Sequence, residues 1–161
     1  MDILNEELLK FWKSLNTNNV EYIMVGGFAV YMHGYIRTTN HIDIWIKDDV
    51  DNRRNLGRAM SIFGYSSLSW DVMQFVPGWT NFHIGAGVML DIMTTMKGLE
   101  NVSFEMANKM ASIAEIEGVN VPFLHINQLI ENKKVVNRPK DQVDVIELEK
   151  IKLLRKDMGI D

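Results

Sequence analysis

The chain has 161 residues, 47% of them apolar, and a formal net charge of −4. This length supports one substantial hydrophobic core but hardly two, so we expect a single domain over residues 1–161. The sequence contains no cysteine, which excludes disulfides, thiolate-bound zinc or iron–sulfur clusters, and thiol catalysis. Any metal ion must therefore bind to oxygen or imidazole ligands.

Export and membrane insertion are not expected from this sequence. It starts MDILNEELLKFW, with acidic residues where a signal peptide is basic, and no apolar run approaches the ~20 residues that a membrane-spanning helix needs. We therefore expect a cytoplasmic protein with no membrane partner. The negative net charge also argues against a general nucleic-acid coat protein, because such binding depends on an excess of Lys and Arg.

The segments before residue 35 predict a helix, a strand and a short helix. Apolar residues recur at helical spacing over residues 3–15. Residues 21–27, EYIMVGG, are typical of a short buried strand that runs into the glycine pair Gly26 and Gly27. Residues 28–34, FAVYMHG, predict a helix of about two turns that a glycine ends.

The segment HIDIWIK, residues 41–47, predicts a strand with one polar face. Isoleucines alternate strictly with His41, Asp43 and Trp45. Positions i and i+2 of a strand project from the same face about 6–7 Å apart. His41 and Asp43 are therefore expected to point together.

The remainder of the chain predicts strand pairs and helices. In order, these are a helix at 48–63, strands at 82–85 and 88–94, a short helix at 103–110, a strand pair within 113–124, and helices at 126–136 and 140–156. Asp91 lies in the second strand of the first pair, between apolar neighbours. Residues 65–80 show no clear period, and we assign Trp70 and Trp79 to the core.

Three side chains in these strands form a candidate metal site. A neighbouring strand can bring Asp91 beside His41 and Asp43, and carboxylates in such apolar runs are costly to bury unless a cation or another partner compensates them. A divalent metal ion would do so. The alternative is that the two aspartates end their strands near solvent, or pair with Arg37 or a lysine.

The glycine pair is a candidate phosphate-binding turn. Glycines between a strand and a helix let backbone N–H groups and the helix N-terminus approach a phosphate closely. The alternative is a simple tight turn. Because Gly27 precedes His41 by only 14 residues, a phosphate-binding turn and a metal-binding strand would form a compact site for a metal-bound triphosphate.

The stretch VGGFAVYMHGYIRTTNHIDIWI, residues 25–46, closely resembles the signature of small bacterial nucleotidyltransferases of the polymerase-beta superfamily, near the abortive-infection toxins. Their usual pattern is GG, then HG, then R-x-T-x-D-I-D-I. LDIMT around Asp91 is similar to the family's third-carboxylate strand, and ENKKVVNRPKDQVDVIEL to its closing motif. The matching positions are Gly26, Gly27, His33, Gly34, Arg37, Thr38, Ile42, Asp43, Ile44, Lys133, Arg138, Lys140, Asp141 and Asp144.

The resemblance, which covers about residues 20–150, implies an α+β nucleotidyltransferase fold with a mixed β-sheet flanked by helices. It implies that Asp43 and Asp91 hold Mg²⁺, with Asp91 as general base or metal ligand. The implied nucleotide-binding residues are Gly26, Gly27, Arg37, Thr38, Lys133, Arg138 and Lys140. Arg37 and Arg138 could instead pair with Asp141 or Asp144 and only brace the domain.

The chain departs from the family at its first metal-binding aspartate, where it has His41. Imidazole is a poor Mg²⁺ ligand and removes one negative charge, so we expect weaker Mg²⁺ binding. Mn²⁺ or another divalent metal could replace it, catalysis could be lost with nucleotide binding retained, or His41 could contact only phosphate or solvent. The other histidines have structural interpretations: His33 packs or bonds to backbone, His83 lies on a strand surface, and His125 starts a helix.

The expected activity is transfer of a nucleoside monophosphate from an NTP to a hydroxyl of an RNA 3′ end, a protein or a small molecule. Family resemblance does not choose among these acceptors, and an antitoxin-like partner protein is compatible with it. The alternative is a catalytically degenerate module that binds a nucleotide or a partner protein, because of His41. An RNA-binding adaptor without a nucleotide site is a third interpretation, which the acidic charge disfavours.

Overall fold

A computed structural model of the protein describes residues 5–85 and 87–160. Within them, strands and helices alternate along much of the chain. In chain order the elements are α1 (Glu6–Thr17), β1 (Tyr22–Val25), α2 (Gly26–His33), β2 (His41–Ile46), α3 (Val50–Met60), β3 (Asn81–His83), β4 (Met89–Met93), α4 (Phe104–Met110), β5 (Ser112–Ile116), β6 (Val119–Phe123), α5 (Ile126–Val136) and α6 (Pro139–Asp157).

The described strands form one mixed sheet in the order β3-β4-β2-β1-β6-β5. The strands β2 and β4 are parallel, as are β1 and β6, whereas β1 and β2 are antiparallel. Two antiparallel hairpins, β3–β4 and β5–β6, close the two sides of the sheet. The centre of the sheet is thus formed by β1, β2 and β4.

Helices cover the sheet and complete the core. Helix α1 packs on α3, α5 packs on α6, and α2 contacts β1 and β2 as well as α5 and α6. The side chains of Phe11, Trp12, Ile23 and Ile44 are fully buried. This arrangement confirms the predicted mixed sheet flanked by helices. No helix in the described ranges is both long and apolar enough to cross a bilayer.

Two predicted boundaries near the N-terminus differ from the structure. Helix α1 begins at Glu6, after Asn5 caps it by accepting a hydrogen bond from the Glu7 N–H at 2.8 Å. The predicted residues Ile3 and Leu4 lie outside the described residues. The first strand ends at Val25 rather than in the glycine pair, because Gly26 and Gly27 already form the first turn of α2.

Of the two tryptophans in segment 65–80 that were predicted to be in the core, one is buried and the other is exposed. Trp70 is in the core, 6% exposed, and its indole N–H donates to the Tyr65 carbonyl at 3.1 Å. Trp79, in contrast, is 86% exposed, so its assignment to the core was wrong. It ends the turn at Pro77 and Gly78, in which the Trp79 N–H donates to the Val76 carbonyl at 2.9 Å.

Candidate active site

The two predicted catalytic carboxylates lie side by side on the central strands. Parallel pairing of β2 and β4 sets Asp43 directly opposite Asp91. Because side chains alternate between the faces of a strand, His41 projects from the same face as Asp43. The three side chains therefore belong to one face of the sheet, as the strand pattern predicts, and their joint binding of a metal stays a prediction.

The glycine pair lies against this site for a steric reason. Antiparallel pairing sets Val25 opposite Asp43, so that Gly26 is the next residue beyond the carboxylate. Gly26 has a φ of +70°, and a Cβ added there would overlap the carboxylate of Asp43. A Cβ added at Gly27 would lie 2.7 Å from Nη2 of Arg37. Both glycines thus leave room for side chains of the site, and the helix N-terminus stays open toward them.

The charge on Asp43 is poorly compensated. Burial, and then the neighbouring charge of Asp91, raise the pKa of Asp43 to about 6, against the smaller opposing effects of His41, Lys133 and Arg138. None of the hydrogen-bond donors in the described part of the chain bonds to its carboxylate. A free-energy cost of this kind is typical of sites where a cation binds or a proton is exchanged.

His41 lies at the exposed edge of the site, and Asp91 is buried beside Asp43. Asp91 is 8% exposed and accepts a long hydrogen bond from the Gly78 N–H at 3.4 Å. The Nδ1 atom of His41 lies 3.9 Å from Oδ2 of Asp91, and the His41 side chain is 48% exposed. Within residues 5–85 and 87–160, no three His, Asp or Glu side chains gather at metal-binding spacing. The Asp43–Asp91 pair lies at the centre of the predicted metal site, with His41 at its edge, and metal binding there stays a prediction.

Two buried aspartates of α6 hold three of the cations near this site. Asp144 binds Arg37 through two contacts, at 2.8 and 2.9 Å, and binds Nζ of Lys133 at 3.0 Å. Asp141 binds the same Nζ at 2.9 Å and accepts from Nε of Arg138 at 2.6 Å. The pairing of Arg37 with Asp144 and of Arg138 with Asp141 is the bracing alternative that the sequence left open. Contact of Arg37 and Arg138 with a nucleotide therefore stays a prediction.

The two carboxylates of these ion pairs are fully buried in the folded protein. Burial acts to raise the pKa of Asp141, but hydrogen bonds from Arg138 and Lys133 outweigh it and hold the pKa at about 2. Lys133 is 3% exposed, although it begins the basic run KKVVNRPK, residues 133–140, which contains no acid and is typical of a solvated turn. We call the five residues Arg37, Lys133, Arg138, Asp141 and Asp144 the charge network.

A cleft of about 580 Å³ brings all the predicted site residues together. Its lining includes Gly26, Gly27, Arg37, Thr38, His41, Asp43, Asp91, Lys133, Arg138 and Lys140. These residues come from four separate parts of the chain. Because all of these residues line one cleft, they can contact the same ligand.

The overall arrangement matches solved nucleotidyltransferase structures. ANT(2″)-Ia in complex with adenylyl-2″-tobramycin is similar with 18% identity and a TM-score of 0.57, over 93% of this chain and 93% of that one. The lincosamide antibiotic adenylyltransferase LnuA, lincomycin-bound, has 15% identity and a TM-score of 0.60, over 91% and 97%. The chain has the nucleotidyltransferase fold.

The likeness extends beyond antibiotic-modifying enzymes. An antigenic nucleotidyltransferase-like protein from Paracoccidioides brasiliensis has 16% identity and a TM-score of 0.60, over 92% of this chain and 73% of that one. No protein-family model matches the sequence, and comparison with curated proteins finds no match. The nucleotidyltransferase fold is thus recognised through three-dimensional structure and through the short motifs of the sequence.

Three histidines of this nucleotidyltransferase fold have the structural roles expected for them. The buried His33 contacts the Leu124 carbonyl through Nε2 at 2.7 Å. Burial, as the largest cause, lowers the pKa of His33 to about 4. His83 is exposed on β3, and His125 caps α5 by accepting from the Asn127 N–H at 3.1 Å.

Sequence reasoning missed several residues that line the cleft. Lys97 and Thr95 lie on the loop after β4, and Pro77 and Gly78 belong to the segment that lacks periodicity. Asn132 lies beside Lys133 in the closing motif, which was a usable signal. Lys97 also had a signal, since it follows closely the strand that carries Asp91. The turn at residues 77 and 78 had none.

Proposed function

We propose that this protein is a nucleotidyltransferase that transfers a nucleoside monophosphate from an NTP to a hydroxyl group of an acceptor. The observation that carries the proposal is the pair Asp43 and Asp91, in register on neighbouring strands, in a cleft that also contains the glycine turn and several cations. The same fold in two antibiotic adenylyltransferases supports this class of reaction.

The chemistry of the carboxylate pair suits a divalent cation. The raised pKa of Asp43 reflects burial and uncompensated negative charge, which a bound cation would offset. Carboxylate oxygens are the ligands that Mg²⁺ prefers, so Asp43 and Asp91 are the proposed Mg²⁺ ligands, with His41 as a third group that favours Mn²⁺ or another divalent metal. When bound, such a metal neutralises phosphate charge and makes the acceptor hydroxyl more acidic.

The residues of the chain supply binding and proton transfer. Asp91, on the strand beside Asp43, accepts the proton of the acceptor hydroxyl as general base. The hydroxyl oxygen attacks the α-phosphorus, and pyrophosphate leaves. The proposed nucleotide-binding residues are Gly26, Gly27, Arg37, Thr38, Lys133, Arg138 and Lys140, all of which line the cleft.

Three kinds of acceptor are compatible with the proposal: an RNA 3′ end, a side chain of a protein such as an antitoxin-like partner, and a small molecule. The solved relatives contain adenylyl-2″-tobramycin or lincomycin. A small molecule bearing a hydroxyl group is therefore the first acceptor to test here. The second is total cellular RNA, and the third is the protein itself.

A second candidate function is a catalytically degenerate module that binds a nucleotide or a partner protein. His41 favours it, because the site then has two carboxylates rather than three. The arrangement of side chains in the described ranges also favours it, since no group of three metal ligands is preformed. The two candidates share the cleft and differ only in turnover.

Labelled NTPs incubated with Mg²⁺ or Mn²⁺ and each acceptor test the proposal. Wild type is expected to label one acceptor and release pyrophosphate, and Asp43→Asn and Asp91→Asn are expected to abolish both signals. His83→Asn, a change outside the cleft, serves as the matched control.

The same assay separates the two candidates. Absence of labelling with either metal, followed by activity in His41→Asp, would establish the degenerate module instead. Titration calorimetry with non-hydrolysable ATP and GTP analogues gives the third outcome. No heat of binding for any nucleotide would reject both the enzyme and a nucleotide-binding module, and favour a protein that does not bind nucleotides.

A further inference from the structure

We propose that Lys97 is a phosphate-binding residue of the cleft, a role that rests on the proposed nucleotidyl transfer and makes it more specific. Lys97 lies on the loop that follows β4, the strand that carries Asp91. It lines the same cleft as Gly26 and Asp43, and its side chain is exposed. Its ligand would be the phosphate chain of a nucleoside triphosphate.

The basic side chains of the cleft differ in whether a carboxylate already binds them. Five basic side chains line it: Arg37, Lys97, Lys133, Arg138 and Lys140. Arg37, Lys133 and Arg138 are each bound to Asp141 or Asp144. Over the part of the chain that the structure describes, Lys97 and Lys140 form no ion pair. They are therefore the cations that can bind a phosphate without first breaking an internal contact.

The backbone of Lys97 is held firmly, unlike that of an ordinary surface lysine. Its carbonyl accepts a hydrogen bond from Nδ2 of the buried Asn132 at 2.9 Å. The flanking residues Met96 and Leu99 are 5% exposed. Gly98 packs so closely on α5 that an added Cβ would lie 3.0 Å from the Glu131 carbonyl. Folding thus fixes the backbone position from which the Lys97 side chain extends.

This placement complements that of Lys140. Lys140 is in the first turn of α6, beside the charge network, whereas Lys97 lies on the loop after the strand of Asp91. A triphosphate close to Asp43 and Asp91 brings negative charge toward two carboxylates, so a cation on the loop after the strand of Asp91 offsets that repulsion. Asn132, through its bond to the Lys97 carbonyl, acts as a positioning residue for this loop.

Titration calorimetry with non-hydrolysable ATP and GTP analogues, in the presence of Mn²⁺, tests the proposal. Lys97→Met is expected to weaken binding of the triphosphates roughly tenfold, as for loss of one charge-assisted hydrogen bond, and to affect binding of the monophosphates much less. Lys97→Arg is expected to stay within about threefold of wild type, because the charge is retained. Lys109→Met is the matched control, an exposed lysine on α4 outside the cleft.

A second measurement does not depend on substitution. Lys97 in wild-type protein should be protected from an amine-reactive reagent by the triphosphate analogue, while Lys109 should react equally with and without it. Unchanged triphosphate affinity in Lys97→Met, equal losses in Lys97→Met and Lys109→Met, or no protection of Lys97 would each overturn the proposal and leave nucleotidyl transfer standing. Wild type that binds no nucleotide would overturn both.

Discussion

The carboxylate of Asp43 lies beside that of Asp91 in a half-buried position, and its pKa is raised to about 6. In the unfolded chain the same group has a pKa of about 3.9. Because the folded pKa is the higher one, the stability that protonation provides is present below about pH 4 and is lost as the pH rises through 6. At neutral pH the ionised site therefore destabilises the metal-free fold.

Asp43→Asn should relieve this cost. We expect the variant to be more stable than wild type at pH 7.5 by on the order of 1–2 kcal/mol, after discounting the shift for partial solvation, and to differ little at pH 4. Urea denaturation at both pH values in a chelating buffer measures the effect. Asp157→Asn, at the exposed end of α6, is the control. Equal stability of Asp43→Asn and wild type at pH 7.5 would contradict the account.

His41→Asp should strengthen metal binding at the same site. The change adds a carboxylate at the mouth of the cleft, where His41 Nδ1 lies 3.9 Å from Oδ2 of Asp91. A third oxygen ligand suits Mg²⁺ better than imidazole, so we expect the affinity for Mg²⁺ to rise about tenfold or more. Calorimetric titration with Mg²⁺ measures it, and His83→Asp adds the same charge on β3 outside the cleft. Equal gains in both variants would mean that net charge, not the site, is responsible.

At the scale of elements, the backbone conformation at the junction of β1 and α2 determines how closely the chain approaches Asp43. Gly26 needs a φ of +70° and also leaves space for the carboxylate of Asp43. Gly118 has a similar φ of +80° in the β5–β6 turn, but an added Cβ there would meet nothing within 4 Å. A substitution at Gly118 therefore measures the free-energy cost of the positive φ alone, whereas one at Gly26 adds the cost of the steric overlap with Asp43.

Gly26→Ala should abolish metal and nucleotide binding, whereas Gly118→Ala should not. Both variants should lose roughly 1 kcal/mol of stability because alanine is strained at positive φ. Only Gly26→Ala should also displace Asp43, with a further loss of stability. Thermal denaturation and nucleotide calorimetry on the two variants measure these effects. If Gly26→Ala bound nucleotide as Gly118→Ala does, the close approach would have no functional role.

The same elements show what the sequence could reveal. Strict alternation predicted β2 correctly, and helical spacing with a proline start predicted α6, because both depend on local patterns. The boundary at Gly26 and the exposure of Trp79 were missed, since each depends on contacts with distant parts of the chain. The burial of Lys133 also depends on contacts with another part of the chain. Its partners lie on the next helix, and the charged run gave no sign of which lysine turns inward.

At the scale of the whole molecule, the charge network ties the loop before β2 to helices α5 and α6. Asp144, with an exposure of 0%, is its centre, since it binds both Arg37 and Lys133. Such a buried group is costly to leave half-paired, even where the intact pair adds little net stability. The network therefore fixes the positions of cleft residues that come from three different elements.

Asp144→Asn should destabilise the fold by about 3 kcal/mol or more, because it leaves Arg37 and Lys133 without their shared carboxylate. Urea denaturation at neutral pH measures the loss. Glu149→Gln is the matched control on the same helix: its exposed pair with Lys134, at 3.7 Å, should contribute less than about 1 kcal/mol. The double variant Arg37→Met/Asp144→Asn should recover part of the loss, because Arg37 is then removed together with its carboxylate partner. Equal effects of Asp144→Asn and Glu149→Gln would show that the charge network does not hold the cleft together.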